Sequence, residues 1–122
     1  MSNLLAVGAG GFLGAVARYL IGLIAVSETL LFPLKTFLIN VAGCVLIGII
    51  TVAVSKNGSC SPQMILFLKV GVCGGFTTFS TFALETSTLL KDGHTCIAFL
   101  YVLLSVLVGV IAIFAMEVFL GE

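Results

Sequence analysis

Four long apolar stretches, separated by short polar interruptions, decide most of what this chain can fold into. They run roughly over residues 3–26, 33–54, 62–90 and 96–120, and the interruptions fall near Ser27 to Thr29, Ser55 to Ser61 and Lys91 to Thr95. A helix needs about 20 residues at 1.5 Å rise to cross the ~30 Å hydrocarbon core of a bilayer, so every stretch is long enough to span. The alternative is a water-soluble core. That is excluded by balance: 61% of the 122 residues are apolar and 8% are charged, where soluble domains carry about a quarter charged residues. The expectation is an all-α polytopic membrane protein with one domain over residues 1–122, four spans and both termini on one side.

Several function classes drop out. The formal net charge is zero and there is no basic stripe, so nucleic acid is not expected as a partner. The first stretch lacks a positive n-region and a small-residue cleavage site and is as long as a span, unlike a secretory signal. Cys44, Cys60, Cys73 and Cys96 form no Cys-x-x-Cys pair and His94 is the single histidine. Zinc-site spacing is therefore absent, and the cysteines read as small packing residues. Little is left with which to build an enzyme.

Polar groups inside the spans are the candidates for function. In the first, Gly10, Gly14, Arg18 and Gly22 recur every four residues along one face. The glycines fit close helix packing. Arg18 is an ionisable group within a span and needs another reason. The second begins at Pro33, a good first-turn residue, and Thr36, Asn40, Cys44 and Gly48 share a face, with Gly43 beside them. Asn40 must find partners because lipid offers none; interhelical glue and a pore or binding face fit it equally. In the fourth, Tyr101, Ser105 and Gly109 lie along one face. Interfacial anchoring explains Tyr101, and a bond to its own helix backbone explains Ser105.

The third stretch is the unusual one. As continuous helix it would be roughly 40 Å long, more than a ~30 Å core requires. Its middle reads Gly71-Val72-Cys73-Gly74-Gly75-Phe76-Thr77-Thr78-Phe79-Ser80-Thr81-Phe82. Paired glycines followed by threonine and serine weaken a helix, so a break is expected in the Gly74–Thr78 segment. Non-helical backbone at that depth persists only where protein buries it or a wet cavity receives it, and its freed carbonyls offer a cation site. Beyond the break Thr78, Thr81, Glu85 and Thr88 form one polar stripe. Phe79 and Phe82 sit beside it, where the positive edges of their rings can face an anion.

With alternating spans, Arg18, Lys35 and Lys91 fall toward one side and Lys56 and Lys69 toward the other. So slight a bias barely specifies orientation. Two oppositely inserted copies could pair about an axis in the membrane plane, doing with two chains what inverted repeats do in one.

Over its whole length the chain resembles the small bacterial fluoride channel family (Fluc, also called CrcB). Three blocks carry the resemblance: GGFLGAVARY at Gly10 to Tyr19, the Thr36 to Gly43 stretch with its threonine, asparagine and glycine, and GVCGGFTTFSTFALE at Gly71 to Glu85. The resemblance implies a multi-pass protein of the bacterial cytoplasmic (inner) membrane, assembled as a dual-topology antiparallel homodimer with two pores. It implies passive, selective fluoride export and a structural sodium ion on the dimer axis, held by the backbone carbonyls of Gly74 and Thr77 from each chain. By the same resemblance Phe79, Phe82, Asn40, Ser80, Thr81, Tyr101 and Ser105 belong to the ion pathway. Thr36 and Glu85 lie near it, and Arg18 contributes positive potential. A carboxylate repels an anion, so Glu85 is expected to bond neighbouring hydroxyls or to be neutral. The runner-up, a dual-topology proton-coupled multidrug antiporter, matches in size. It needs a membrane-embedded glutamate in the first span, where this chain has Arg18.

Overall fold

The computed structural model describes residues 2–27 and 29–121, which form helices and their connections with no strand among the described residues. α1 covers Ser2–Gly22, α2 Leu34–Lys56 and α6 Thr95–Gly121, while the third span, Pro62–Lys91, is composite. All four are long and apolar enough to cross a membrane.

Local chemistry sets the ends. Pro33 precedes α2 by one position and its carbonyl accepts the Phe37 N–H at 3.1 Å. Ser61 caps the third span by accepting the Met64 N–H at 3.2 Å, with Pro62 just inside, the arrangement that suits a proline with no N–H to offer. Between the third span and α6 the chain turns through Asp92, Gly93 and His94. Gly93 takes a φ of 82°, and the His94 N–H returns to the Leu89 carbonyl at 2.8 Å. This left-handed stop is strained for any residue with a Cβ.

The third span contains four pieces: α3 (Pro62–Ile65), a π-helix (Leu66–Cys73), α4 (Gly74–Phe76) and α5 (Phe79–Lys91), with Thr77 and Thr78 in neither helix nor turn between the last two. The break lies in the expected segment, but the glycines do not make it. Gly74 and Gly75 are helical, and at Gly75 a close neighbour, not conformational freedom, explains the glycine. A Cβ on Gly75 would lie 2.5 Å from the Gly11 carbonyl oxygen, and one on Gly71 would lie 2.7 Å from the Gly10 Cα. A Cβ on Gly14 would meet the Phe76 nitrogen at 2.7 Å as well as the Val72 carbonyl. Here α1 and the π-helix run backbone against backbone, a closeness only hydrogen side chains permit. Gly22, on the same sequence stripe, has nothing within 4 Å.

The face of α2 divides its contacts. Gly43 receives the Thr77 side chain, whereas a Cβ on Gly48 would press Met116 of α6 at 2.8 Å, and one on Gly109 would meet Cys44 Sγ at 3.2 Å. α2 therefore joins the third span to α6. A small core of Leu89, Ala98 and Tyr101, with Phe32, Phe37, Phe82 and Ile97 packed on it, closes the end near the α5–α6 turn. The outer surface carries Leu4, Phe12, Phe99, Phe114 and Phe119, all largely exposed. In water such a surface would drive association; acyl chains solvate it at no cost.

Candidate functional site

The site begins at the break. A continuous helix would give the Thr78 N–H to the Gly74 carbonyl. Instead Asn40 Oδ1 accepts it at 2.8 Å, and Asn40 Nδ2 donates to the Thr78 carbonyl at 3.1 Å. One side-chain amide thus pairs with both main-chain groups of an extended residue (φ −147°, ψ 112°), as a neighbouring strand would. Thr78 then caps α5: its hydroxyl oxygen accepts the Thr81 N–H at 3.2 Å, and the hydroxyl donates to Thr81 Oγ1 at 2.9 Å. Thr77 closes the other side, with its N–H and its hydroxyl both donating to the Cys73 carbonyl, at 3.0 and 2.9 Å. The break is held open by competing partners with satisfied geometry, as buried polar backbone requires.

Arg18 adds a further partner: its Nε donates to the Gly75 carbonyl at 3.2 Å, filling the place that the Phe79 N–H would take in an unbroken helix. The guanidinium thereby ties α1 to the break while keeping its charge in a cavity of about 550 Å³. Arg18, Tyr19, Lys35, Thr36, Thr78, Thr81 and Glu85 are among its walls. Both oxygens of Glu85 are engaged, accepting from Thr36 Oγ1 and from Tyr101 Oη at 2.8 Å each. Hydroxyls from α2 and α6 thus converge on one carboxyl group of α5.

The aromatic pair stands next to the break. Phe79 and Phe82 have ring centroids 5.6 Å apart with planes tilted by 48°. Phe82 meets Tyr101 edge-on at 5.0 Å, and Phe32 meets Tyr101 at 5.3 Å and Phe37 at 5.4 Å. Tyr101 has no exposed surface and Phe79 is 79% exposed. Tyr101 is thus a buried tether for Glu85 and not an interfacial anchor, while Phe79 and the exposed Ser80 face away from the protomer. Ser105 departs from its expected bond to its own helix: its oxygen is sealed and has no partner among the described residues.

On another side of the break, Gly74 and Thr77 line a cavity of about 260 Å³ with Gly43, Cys44, Lys69 and Cys73. The helical partner of the Gly74 carbonyl is given to Asn40, and that of the Thr77 carbonyl, the Thr81 N–H, is given to Thr78. Both oxygens are released from the ladder. No group of three or more His, Cys, Asp or Glu that could hold a metal exists among the described residues. A cation at this cavity would depend on such main-chain oxygens, which suit a hard ion.

The sequence patterns brought Asn40, Thr78, Thr81, Glu85 and Arg18 to notice, and the structure gathers them. They did not single out Lys35, which donates to the Gly22 carbonyl at 2.9 Å and lines the larger cavity, nor Phe32 and Phe37, which buttress Tyr101. Lys35 carried a signal as a cation one residue before Thr36; the phenylalanines carried none beyond their apolarity.

A family profile described as "CrcB-like protein, Camphor Resistance (CrcB)" matches residues 5–116. The chain is 44% identical over 113 residues to the "Fluoride-specific ion channel FluC" of Chlorobium chlorochromatii (strain CaD3), covering 93% of this chain and 88% of that one. It is 45% identical over 115 residues to the protein of the same name from Chlorobaculum tepidum, covering 94% and 91%. To that of Rhizobium meliloti (strain 1021) it is 42% identical over 116 residues, covering 94% and 93%.

Proposed function

The chain belongs to the CrcB family, and from that membership we propose that it is a passive, fluoride-selective channel of the bacterial cytoplasmic membrane. The observation that carries the reading on the structural side is the broken third span, pinned by Asn40 and Arg18 beside a cavity furnished with hydroxyl donors. Fluoride is small and tightly hydrated, so a pathway must replace its water with donors and still let it leave. Asn40, Ser80, Thr81 and Ser105 are the pathway donors in this reading, Tyr101 serves the pathway by holding Glu85, and the ring edges of Phe79 and Phe82 stabilise the anion without a trapping cation. Arg18 supplies positive potential. Glu85 is compatible with anion passage because Thr36 and Tyr101 occupy its oxygens.

The working unit in this reading is an antiparallel homodimer with two pores. The exposure of Phe79, Ser80 and Gly74 in one protomer supports it, since residues needed for a pathway are left uncovered until a second copy covers them. A structural sodium ion on the dimer axis would take the released carbonyls of Gly74 and Thr77 from both copies. When bound it would supply a fixed positive charge that offsets the cost of bringing anions to mid-membrane. The antiporter alternative is disfavoured, because the first span presents Arg18 where proton exchange needs a carboxylate.

The test is flux. Purified protein in liposomes loaded with fluoride, shunted with a potassium ionophore, is followed with a fluoride electrode. Rapid efflux with no chloride leak and no dependence on a proton gradient supports the reading; efflux that requires a proton gradient sinks it.

A further inference from the structure

Lys35 has no part in the pathway described above, yet it stands where two cavities share a wall. It lines the 550 Å³ cavity with Arg18 and Glu85, and also a cavity of about 210 Å³ beneath the α1–α2 connection with Ser27, Phe32, Pro33 and, again, Glu85. Its ammonium donates to the Gly22 carbonyl, at the negative end of α1, which holds a cation in place. One carbonyl is only a dipole. It uses one of three N–H donors and leaves the full charge facing the cavities.

The larger cavity is lined by two basic side chains, Arg18 and Lys35, and one acidic one, Glu85, whose oxygens both accept from hydroxyls. Removing Lys35 leaves Arg18 as the one basic side chain lining it. Arg18 is drawn in toward the break by Gly75, whereas the bond made by Lys35 is exposed. Of the two basic side chains of this cavity, Lys35 makes the more exposed bond.

We propose that Lys35 is a further pathway residue, which sets the rate at which fluoride is gathered from water into the cavity and leaves the selection of fluoride at the break untouched. The proposal rests on the fluoride-channel reading. Gathering by a charge near the mouth acts through water and is screened by salt: the Debye length is about 30 Å at ~0.01 M and about 3 Å at ~1 M.

The experiment compares fluoride efflux of wild type, Lys35→Gln, Lys35→Arg and Lys35→Glu in liposomes, in a background of isethionate near ~0.01 M and near ~1 M. Arg is long enough to keep the bond to Gly22; Gln is one bond shorter than Lys, and the salt dependence separates the loss of charge from the loss of this bond. At low salt the Gln variant should run about threefold slower, the Glu variant about tenfold slower because reversal doubles the logarithm, and the Arg variant at the wild-type rate. At high salt the four should converge, with fluoride-over-chloride selectivity equal throughout. A loss of equal size at both salts would assign Lys35 to strapping α1 onto α2 and overturn the proposal, as would a Gln or Glu variant at the wild-type rate in low salt. A wild type with no fluoride flux at either salt would overturn the channel reading itself, and this proposal with it.

Discussion

Replacing Asn40 tests how the break is held. Asn40→Ala removes at once the acceptor of the Thr78 N–H (2.8 Å) and the donor to the Thr78 carbonyl (3.1 Å). Hydrogen bonds between membrane helices are worth roughly 0.6–2 kcal/mol each, so the pair holds the extended conformation by about 2 kcal/mol. Amide hydrogen exchange in lipid nanodiscs, read on peptides covering residues 74–82, reports the change. Opening at Thr78 should become about thirtyfold more frequent, the factor that ~2 kcal/mol implies. Asn40→Asp separates the two bonds: it keeps an acceptor for the N–H but sets a carboxylate oxygen against the Thr78 carbonyl, and it should stop conduction through that added charge. Unchanged exchange at Thr78 in Asn40→Ala would refute the claim that this side chain holds the break.

Other outcomes follow from the same contacts. Gly14→Ala forces a methyl into the Phe76 nitrogen at 2.7 Å and should cost about 1–3 kcal/mol in detergent unfolding, whereas Gly22→Ala, with nothing within 4 Å, should be neutral within about 0.5 kcal/mol. Tyr101→Phe and Thr36→Val each strip one oxygen of Glu85 of its hydroxyl and should each lower stability by about 1–2 kcal/mol. Together they should deviate from additivity in a double-mutant cycle, because both act on one carboxylate. Phe79→Ile or Phe82→Ile should cut fluoride flux sharply while leaving the protein folded; undiminished flux in both would remove the aromatic pair from the pathway. Cysteine crosslinking at the exposed Phe79 face should recover antiparallel pairs, and finding only parallel ones would exclude the proposed dimer.

Which parts of this were readable in advance depends on the range of the interaction. The spans announce themselves because a bilayer asks each segment for the same thing, some 20 apolar residues, and the chain meets that demand locally. The disruption in the third span is also visible, since Thr77, Thr78 and Ser80 compete with a helix through their own hydroxyls. The part of the glycines is different. Gly74 and Gly75 look like helix breakers in isolation, yet both are helical, and the service of Gly75, letting Gly11 and Gly14 approach, depends on another span. The π-helix over Leu66–Cys73 leaves no mark, because an i→i+5 register uses the same apolar residues as i→i+4. The Thr36–Glu85–Tyr101 cluster joins three helices whose sequence positions carry no mutual signal. Arg18 could be recognised as costly within a span, but its acceptor, the Gly75 carbonyl, becomes available only once the break exists.

A passive fluoride conductance is read without intermediaries in a planar bilayer. With fluoride graded across the membrane and chloride symmetrical, discrete currents should reverse at the equilibrium potential of fluoride and stay there when a pH gradient is imposed. A reversal potential that tracks the proton gradient, or currents carried equally by chloride, would contradict it.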